Sequence, residues 1–552
     1  MKQAVNKIFI STYPLSFIKL SIFVSIILFS CKNHNYPDKK IFRYNESSGI
    51  ASLDPAFAKN QSIMWAIHQV YNTLVEVDEN LQMKPCLAQR WEFTAGNRSI
   101  IFHLRSDVFF QDDAAFKKGI GRKLNAKDVV YSFNRIINTN TASPGAWIFN
   151  NRVDSLNPFV ALDDTTFQLN LLKPFQPILG ILSMQYCSIV AREAVEKYGN
   201  DFRRHPVGTG PFSFVAWEEG QALVFKKNDH YFETDTSGYP LPYLDGIKVN
   251  FYDSKATEFL EFQQSRLDFI NDIDPSFKDE ILTKTGNLKK EWEGKLQLKK
   301  HPYLNIEYFG ILADTTNELL KASPLRFKKL RQAINFAIDK KKMMLYLRNS
   351  IGMPAGSGFV PPGLPSFSAE EVKGYAYDPV RAKQLLVEAG FREGTNMPAI
   401  KLLTIPNYVN LASYVANELK QTGINVQVES IQKSLLLEQT SKSQALFFRG
   451  SWIADYPDAE NYLGVFYSKN PAPPNYTRYK NPAYDLLYEK SLVELNDSAR
   501  YKIYRQMDKL IVEDAPVVPL WYDMALHVVH MNIKNFMPNS LNMLELRNVK
   551  KD

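Results

Sequence analysis

Cysteine is scarce: the chain has three in 552 residues, at positions 31, 86 and 187. At most one disulfide can form, which excludes a covalent scaffold of the small-secreted kind. Cys86 and Cys187 could pair in an oxidising compartment or lie as two buried thiols, and the sequence leaves both open. Beyond residue 31 no apolar run approaches the ~20 residues of a membrane-spanning helix, so the remainder is expected to be soluble. Charge of one sign is not concentrated either. The 66 basic and 58 acidic residues leave a formal +8, or +5 once the three lysines of residues 1–30 are set aside. They are interspersed, as on a solvated surface, and form no stripe for nucleic acid. Enzyme signatures are missing as well. There is no Gly-x-Ser-x-Gly elbow, no His-Glu-x-x-His helix and no Gly-x-x-x-x-Gly-Lys phosphate loop. The eight histidines are dispersed. His527 and His530 stand three apart without acidic neighbours at hand, which suits a structural or surface role better than a metal site. No metal, cofactor or catalytic group is expected.

What is present begins at the N-terminus. Lys2, Lys7 and Lys19 precede an uncharged stretch, Leu20 to Ser30, that ends Leu28-Phe29-Ser30-Cys31. A basic region, a short apolar run and a small residue before a cleavage point describe a secretory signal over residues 1–30. A signal anchor reaching back to Phe17 is the alternative, and Lys19 interrupts it. The Leu-x-Ser-Cys ending resembles a bacterial lipobox, with Phe29 bulkier than usual. That resemblance implies that Cys31 is acylated and becomes the first mature residue. Residues 31–40 would then be a tether, since after Cys31 only Tyr36 offers apolar surface.

From Ile41 on, short strands alternate with helices, without repeats or low-complexity blocks. Strands are expected at Phe42–Tyr44, Ser99–Arg105, Thr166–Leu172, from Phe212, at Ile424–Val428 and at Pro516–Tyr522. The spacing of Ile63, Ile67, Val70, Tyr71 and Leu74 predicts a helix over 63–74. Asn125 and Asp128 form a capping-box pattern ahead of Val129, Val130, Phe133, Ile136 and Ile137. Ser323-Pro324 should start a helix, Leu411–Leu419 reads as another that stops at Gly423, and Ala499–Val512 as a third. Gln111 to Leu124 reads as a basic surface loop carrying Lys117, Lys118, Arg122 and Lys123. Aromatic residues are plentiful (28 Tyr, 36 Phe, 7 Trp), enough for cores and for the lining of a broad pocket.

One stretch carries chemistry: Arg449-Gly-Ser-Trp-Ile-Ala-Asp455-Tyr-Pro-Asp. By spacing alone it reads most simply as a strand with a surface ion pair and a turn. It also sets an anion, a cation and a flat apolar surface close together, which suits a zwitterionic ligand with an apolar body.

Ten segments, in order, resemble the family-5 extracellular solute-binding proteins, the dipeptide- and oligopeptide-binding receptors of ATP-driven importers. They include Ser52-Leu-Asp-Pro55, Val70-Tyr-Asn-Thr-Leu74, Pro85-Cys-Leu-Ala-Gln-Arg-Trp91-Glu, Asn125-Ala-Lys-Asp-Val-Val-Tyr-Ser-Phe133, Pro206-Val-Gly-Thr-Gly-Pro-Phe212, Arg331-Gln-Ala-Ile-Asn-Phe-Ala-Ile-Asp339 and Asp514-Ala-Pro-Val-Val-Pro-Leu-Trp-Tyr522. The resemblance implies an α/β fold of the two-lobed periplasmic-binding-protein type (class II, cluster C), with an extra domain inserted in the N-terminal lobe. Lobe I would comprise 41–78, 205–298 and 515–552, the inserted domain 79–204, and lobe II 299–514. It also implies hinge closure around a ligand, with an extended peptide paired to short strands of both lobes. The matching segments are Lys59-Asn60-Gln61 and Ser451-Trp452-Ile453. Asp455 matches the aspartate that receives the ligand ammonium, and Arg449 an arginine that helps to meet the ligand carboxylate. Ser451 stands where glycine is usual. The longer, basic Gln111–Leu124 region departs from the pattern, and no other carboxylate-binding residue has a match. The expected partners are a peptide or other small ligand, permease subunits and, through Cys31, a membrane; the chain is expected to be monomeric. The open alternatives are a receptor for a metal complex, haem, sugar or cell-wall peptide, and a sensor or chaperone that reuses the fold.

Overall fold

The computed structural model describes residues 39–552 apart from 95, 274 and 393–396. The expected signal segment, Cys31 and all but the end of the tether lie outside the described residues. Among those described, no helix is long and apolar enough to cross a membrane.

Five sheets organise residues 41–552. A four-stranded sheet takes the order β1 (Ile41–Asn45), β10 (Gly246–Asn250), β9 (Ala222–Lys227), β8 (Phe212–Glu218). Another runs β4 (Ala88–Phe93), β5 (Ser99–Leu104), β7 (Thr166–Asn170), β6 (Phe159–Ala161). β2 (Val75–Val77) and β3 (Met83–Pro85) form a ribbon. The largest sheet follows the order β11 (Phe269–Asn271), β17 (Val517–His530), β12 (Leu296–Ile311), β16 (Phe447–Ile453), β14 (Ile400–Thr404), β15 (Val426–Ser430), and β13 (Met353–Pro354) adds to β17. β18 (Ile533–Lys534) pairs with β19 (Lys550–Lys551). This is a mixed α/β architecture of the two-lobed type.

β12 and β17 are the long members, with 16 and 14 residues, and they pair antiparallel along most of their length. At one end, Leu296, Leu298, Leu526 and Val528 pack with the helix Lys255–Gln263 and β11. At the other, Phe309, Ile311, Val518 and Leu520 pack under α3 (Lys328–Phe336) and α4 (Val409–Gln421). Between the two ends the register shifts, from Pro302↔Met524 to Ile306↔Tyr522.

Local sequence accounts for most element boundaries. α2 (Ala126–Ile137) carries the expected capping box: the Asn125 carboxamide accepts from Lys127 N, and the Asp128 carboxylate accepts from Asn125 N at 2.9 Å. Asp54 caps the turn at Pro55–Phe57 and also takes a bidentate bond from Arg135 at 2.6 and 2.8 Å.

Some expectations are corrected. α1 (Gln61–Val70) stops four residues short of Leu74. Tertiary bonds claim that backbone instead: Gly210 N donates to Val70 O, Ile189 N to Asn72 O and Ala88 N to Leu74 O. Ser323-Pro324 opens a single 3-10 turn, and Phe327 is extended, so α3 begins only at Lys328. The Phe327 ring turns inward against Phe391, at 5.9 Å. β17 continues eight residues past Tyr522 because β12 supplies partners throughout. Within the basic loop, Arg122 is drawn down to Asp128 and Glu193, at 2.6 and 2.5 Å. Cys86 and Cys187 are buried free thiols.

Pro206–Pro211 owes its two glycines to the close approach of Val70 and Tyr71. A Cβ on Gly208 would collide with the Val70 carbonyl oxygen and the Tyr71 ring. Gly208→Ala should therefore cost about 1–3 kcal/mol of stability, the range for overpacking, measured by urea unfolding. An unchanged midpoint would contradict this packing.

Candidate functional site

α1 starts where Asn60 accepts from Ile63 N, which fixes Lys59, Asn60 and Gln61 on the wall of a cavity of about 1310 Å³. Tyr303 and Leu304, in the register break of β12, and Ile453, Ala454 and Asp455, at the end of β16, line it too. The 178–186 region runs close to this second wall: a Cβ added to Gly180 would come within 3.6 Å of Pro457 and 3.7 Å of Tyr456.

The wall near the C-terminus is a strip of irregular chain. Ser540, Asn542, Leu544 and Leu546 are buried, and the alternate residues Leu541, Met543, Glu545 and Arg547 line the cavity. α1 holds the strip by side chains: Trp65 Nε1 donates to Asn542 O at 2.7 Å and Gln69 Nε2 to Leu544 O at 2.7 Å. Aromatic surface comes from Tyr71, Trp147, Tyr186, Phe232 and Tyr303, and thioethers from Met64, Met184 and Met543. Thioethers are soft and adaptable packing surface.

Asp455 is open to the cavity water, yet most of its surroundings are protein. That desolvation lifts its pKa above the usual carboxylate value, partly countered by Asn461 and by the charge of Arg152. Asn461 orients it. Its Nδ2 donates to Asp455 Oδ2 at 3.4 Å, while its Oδ1 accepts from Trp452 Nε1 at 2.9 Å and from Asp455 N at 3.3 Å. Among the described residues, no cation lies within ion-pair distance of Asp455, and no carboxylate within that distance of Lys59.

Ile453 is half exposed and lines the cavity, whereas Ser451 and Trp452 do not reach it. β16 pairs fully with β12 on one side. On the other side β14 meets it only at Leu403↔Phe448, so no described strand covers residues 449–453 there.

Arg449 lies away from the cavity. Its Nη2 donates to both Glu307 oxygens at 2.6 Å, and its guanidinium stacks on Tyr408 at 4.0 Å. Glu307 is 3% exposed, and burial raises its pKa to about 7 although Arg449 opposes the shift. In this arrangement the arginine expected to meet a ligand carboxylate is already neutralised.

Spacing did not reveal the polar knot around Arg547 on the cavity wall. Arg547 donates to Glu76 at 2.9 Å, and to Glu233 and Glu545 at 2.8 Å each. Lys84 also meets Glu76, at 3.0 Å, and His68 meets Glu545, at 3.1 Å. The guanidinium holds Glu545 far below the normal carboxylate range in spite of burial. His527 and His530 face Asn271 and the Phe262 carbonyl, and among the described residues no group of three or more His, Cys, Asp or Glu could hold a metal.

Removing Arg547 would leave buried carboxylates without their counter-charge. Arg547→Ala should therefore lower stability by about 3–5 kcal/mol, read from thermal and urea unfolding. A loss under about 1 kcal/mol would show that water replaces it.

A family model described as "Bacterial extracellular solute-binding proteins, family 5 Middle" matches residues 82–474. Heme-binding protein A of Haemophilus influenzae is 27% identical over 487 residues, covering 85% of this chain and 84% of that protein. The dipeptide-binding protein of Escherichia coli is 23% identical over 500 residues, 87% of this chain and 88% of that one. The unliganded open form of the periplasmic murein tripeptide binding protein MppA superposes with a TM-score of 0.79 at 21% identity, covering 93% of this chain and 98% of that one. HbpA2 from Haemophilus parasuis gives 0.80 at 22% identity, covering 93% and 99%. At these identities the two structures speak to the fold alone. With the family match spanning most of its length, this chain belongs to the family-5 bacterial extracellular solute-binding proteins.

Proposed function

We propose that this protein is the peptide receptor of an ABC importer, tethered by an acylated Cys31 outside the cytoplasmic membrane, periplasmic or surface-exposed. It takes di- to oligopeptides into the cavity and hands them to a permease. The carrying observation is Asp455, a carboxylate on the wall of a large cavity with no ion-pair partner among the described residues. An ammonium there would form a charge-assisted bond with a partly desolvated acid. The uncovered end of β16 at Ile453 and the chain at Lys59–Gln61 would offer main-chain pairing, which is indifferent to peptide sequence. Lys59, the cavity cation without a carboxylate partner, replaces Arg449 as the group we expect to meet a ligand carboxylate. We place lobe I at 41–78, 205–298 and 515–552, the inserted domain at 79–204 and lobe II at 299–514. The register break at Pro302–Ile306 would be the point where the lobes turn against each other.

A second reading draws on the aromatic and thioether lining and on the relative named as haem-binding: a flat apolar ligand such as a porphyrin.

Calorimetric titration with mixed di- to pentapeptides tests the first reading, and absorbance titration with haem the second. Asp455→Ala should weaken peptide binding by about 1.5–3 kcal/mol, roughly ten- to hundredfold. Acetylating the peptide N-terminus should do the same to the wild type and add little to the variant. Undiminished binding by Asp455→Ala would sink the proposal.

The raised pKa of Asp455 also sets a pH dependence. Its proton competes with the ligand ammonium, so affinity should be full near neutrality and fall with acidification, beginning above the ordinary aspartate range. Titrations at several pH values would show it, and Asp455→Asn should flatten the profile.

A further inference from the structure

The cavity opposes the rest of the molecule in charge. Its walls carry four cations: Lys59, Lys84, Arg105 and Arg547. Against them stand seven carboxylates. Glu76, Asp78 and Glu79 come from the β2–β3 ribbon, and Glu233 and Asp235 from the segment after β9; Asp455 and Glu545 complete the set. With His68 neutral, the lining has a formal excess of three negative charges, while the whole chain carries +8.

The cations are largely spent. Lys84 and Arg547 serve Glu76, Glu233 and Glu545, and Arg105 is paired with Asp107, which lies off the cavity. Asp78, Glu79, Asp235 and Asp455 have no cation within ion-pair distance among the described residues. Asp78 accepts from Asn80 N and Gln82 N, and Asp235 accepts from Ser237 N, Tyr239 N and the Tyr243 hydroxyl. Those bonds fix the carboxylates at the wall without neutralising them. A recess lined by one sign of charge concentrates the opposite sign. The aromatic faces add to this, since cations sit well on them; Arg105 already lies over Phe232 at 4.8 Å and Lys550 over Tyr243 at 4.0 Å.

We infer that the cavity selects ligands of net positive charge: peptides that bear lysine or arginine side chains beyond their free N-terminus. The inference rests on the cavity being the ligand site proposed above. It also separates this chain from relatives named for haem or glutathione, ligands whose carboxylates would meet an acidic wall. Asp455 would hold the α-ammonium, and Asp78, Glu79 and Asp235 would attract the basic side chains.

The test is a titration series of tripeptides with one variable central residue, lysine, glutamine or glutamate, at low and at high salt. A parallel series uses the oligoamine spermidine. The lysine peptide should bind about tenfold or more tighter than the glutamate peptide at low salt, with glutamine between them, and salt should narrow the gap. Glu79→Gln removes an exposed carboxylate for which no bond is seen, and should shrink the lysine-over-glutamate ratio two- to threefold. Equal binding, or a preference for glutamate, would overturn the inference while leaving the peptide reading intact. Spermidine binding without peptide binding would do the reverse, and binding of neither would sink both.

Discussion

Everything in this molecule hangs on the pairing of β12 with β17. Two antiparallel strands of this length tie the 296–302 end to the 306–311 end through main-chain hydrogen bonds that no single side-chain change removes. Each end carries its own apolar layer. Where the register shifts, Tyr303 and Leu304 lose their β17 partners and face the cavity. Leu304 is then tied sideways: its N donates to Ser540 O, and its O accepts from Ala454 N. One residue thus joins the tail strip to the chain just before Asp455. The cavity lies where the ladder gives way.

The charges divide into two kinds. Glu307–Arg449 and the Arg547 knot are buried, bonded on several sides and internally compensated. Such groups are costly to expose singly and offer a ligand little, because a new partner would have to compete with an existing one. Asp455 and Lys59 are the opposite case: they reach the cavity and have no ion-pair partner among the described residues. Which kind a residue belongs to depends on what other elements bring beside it. That explains why Arg449, only six residues from Asp455, points to a different fate.

Helix and strand positions were largely legible. The cap at Asn125, the apolar periodicity of α2 and the short strands 41–45 and 99–104 follow from local residues alone. Boundaries failed where remote backbone intervened, as at Val70–Leu74, captured by Gly210, Ile189 and Ala88. Of the residues singled out for a site, Asp455, Ile453 and Lys59–Gln61 line the cavity, whereas Arg449, Ser451 and Trp452 lie off it. Glu76, Arg105, Glu545 and Arg547 were not singled out, since they stand hundreds of residues apart in part and share no spacing rule.

The sequence by itself determined the family, through ordered punctuation by proline, glycine and cap residues, because those types are demanded by backbone conformation wherever they occur. It also determined that an anion and an aromatic would lie close together near residue 455. Tertiary structure alone decided which charges stay unpaired, that the tail from Ser540 to Arg547 forms a wall, and that an acidic recess sits in a basic protein. Ion pairing and desolvation act through space over a few ångströms, and those neighbours are set by the fold, not by distance along the chain.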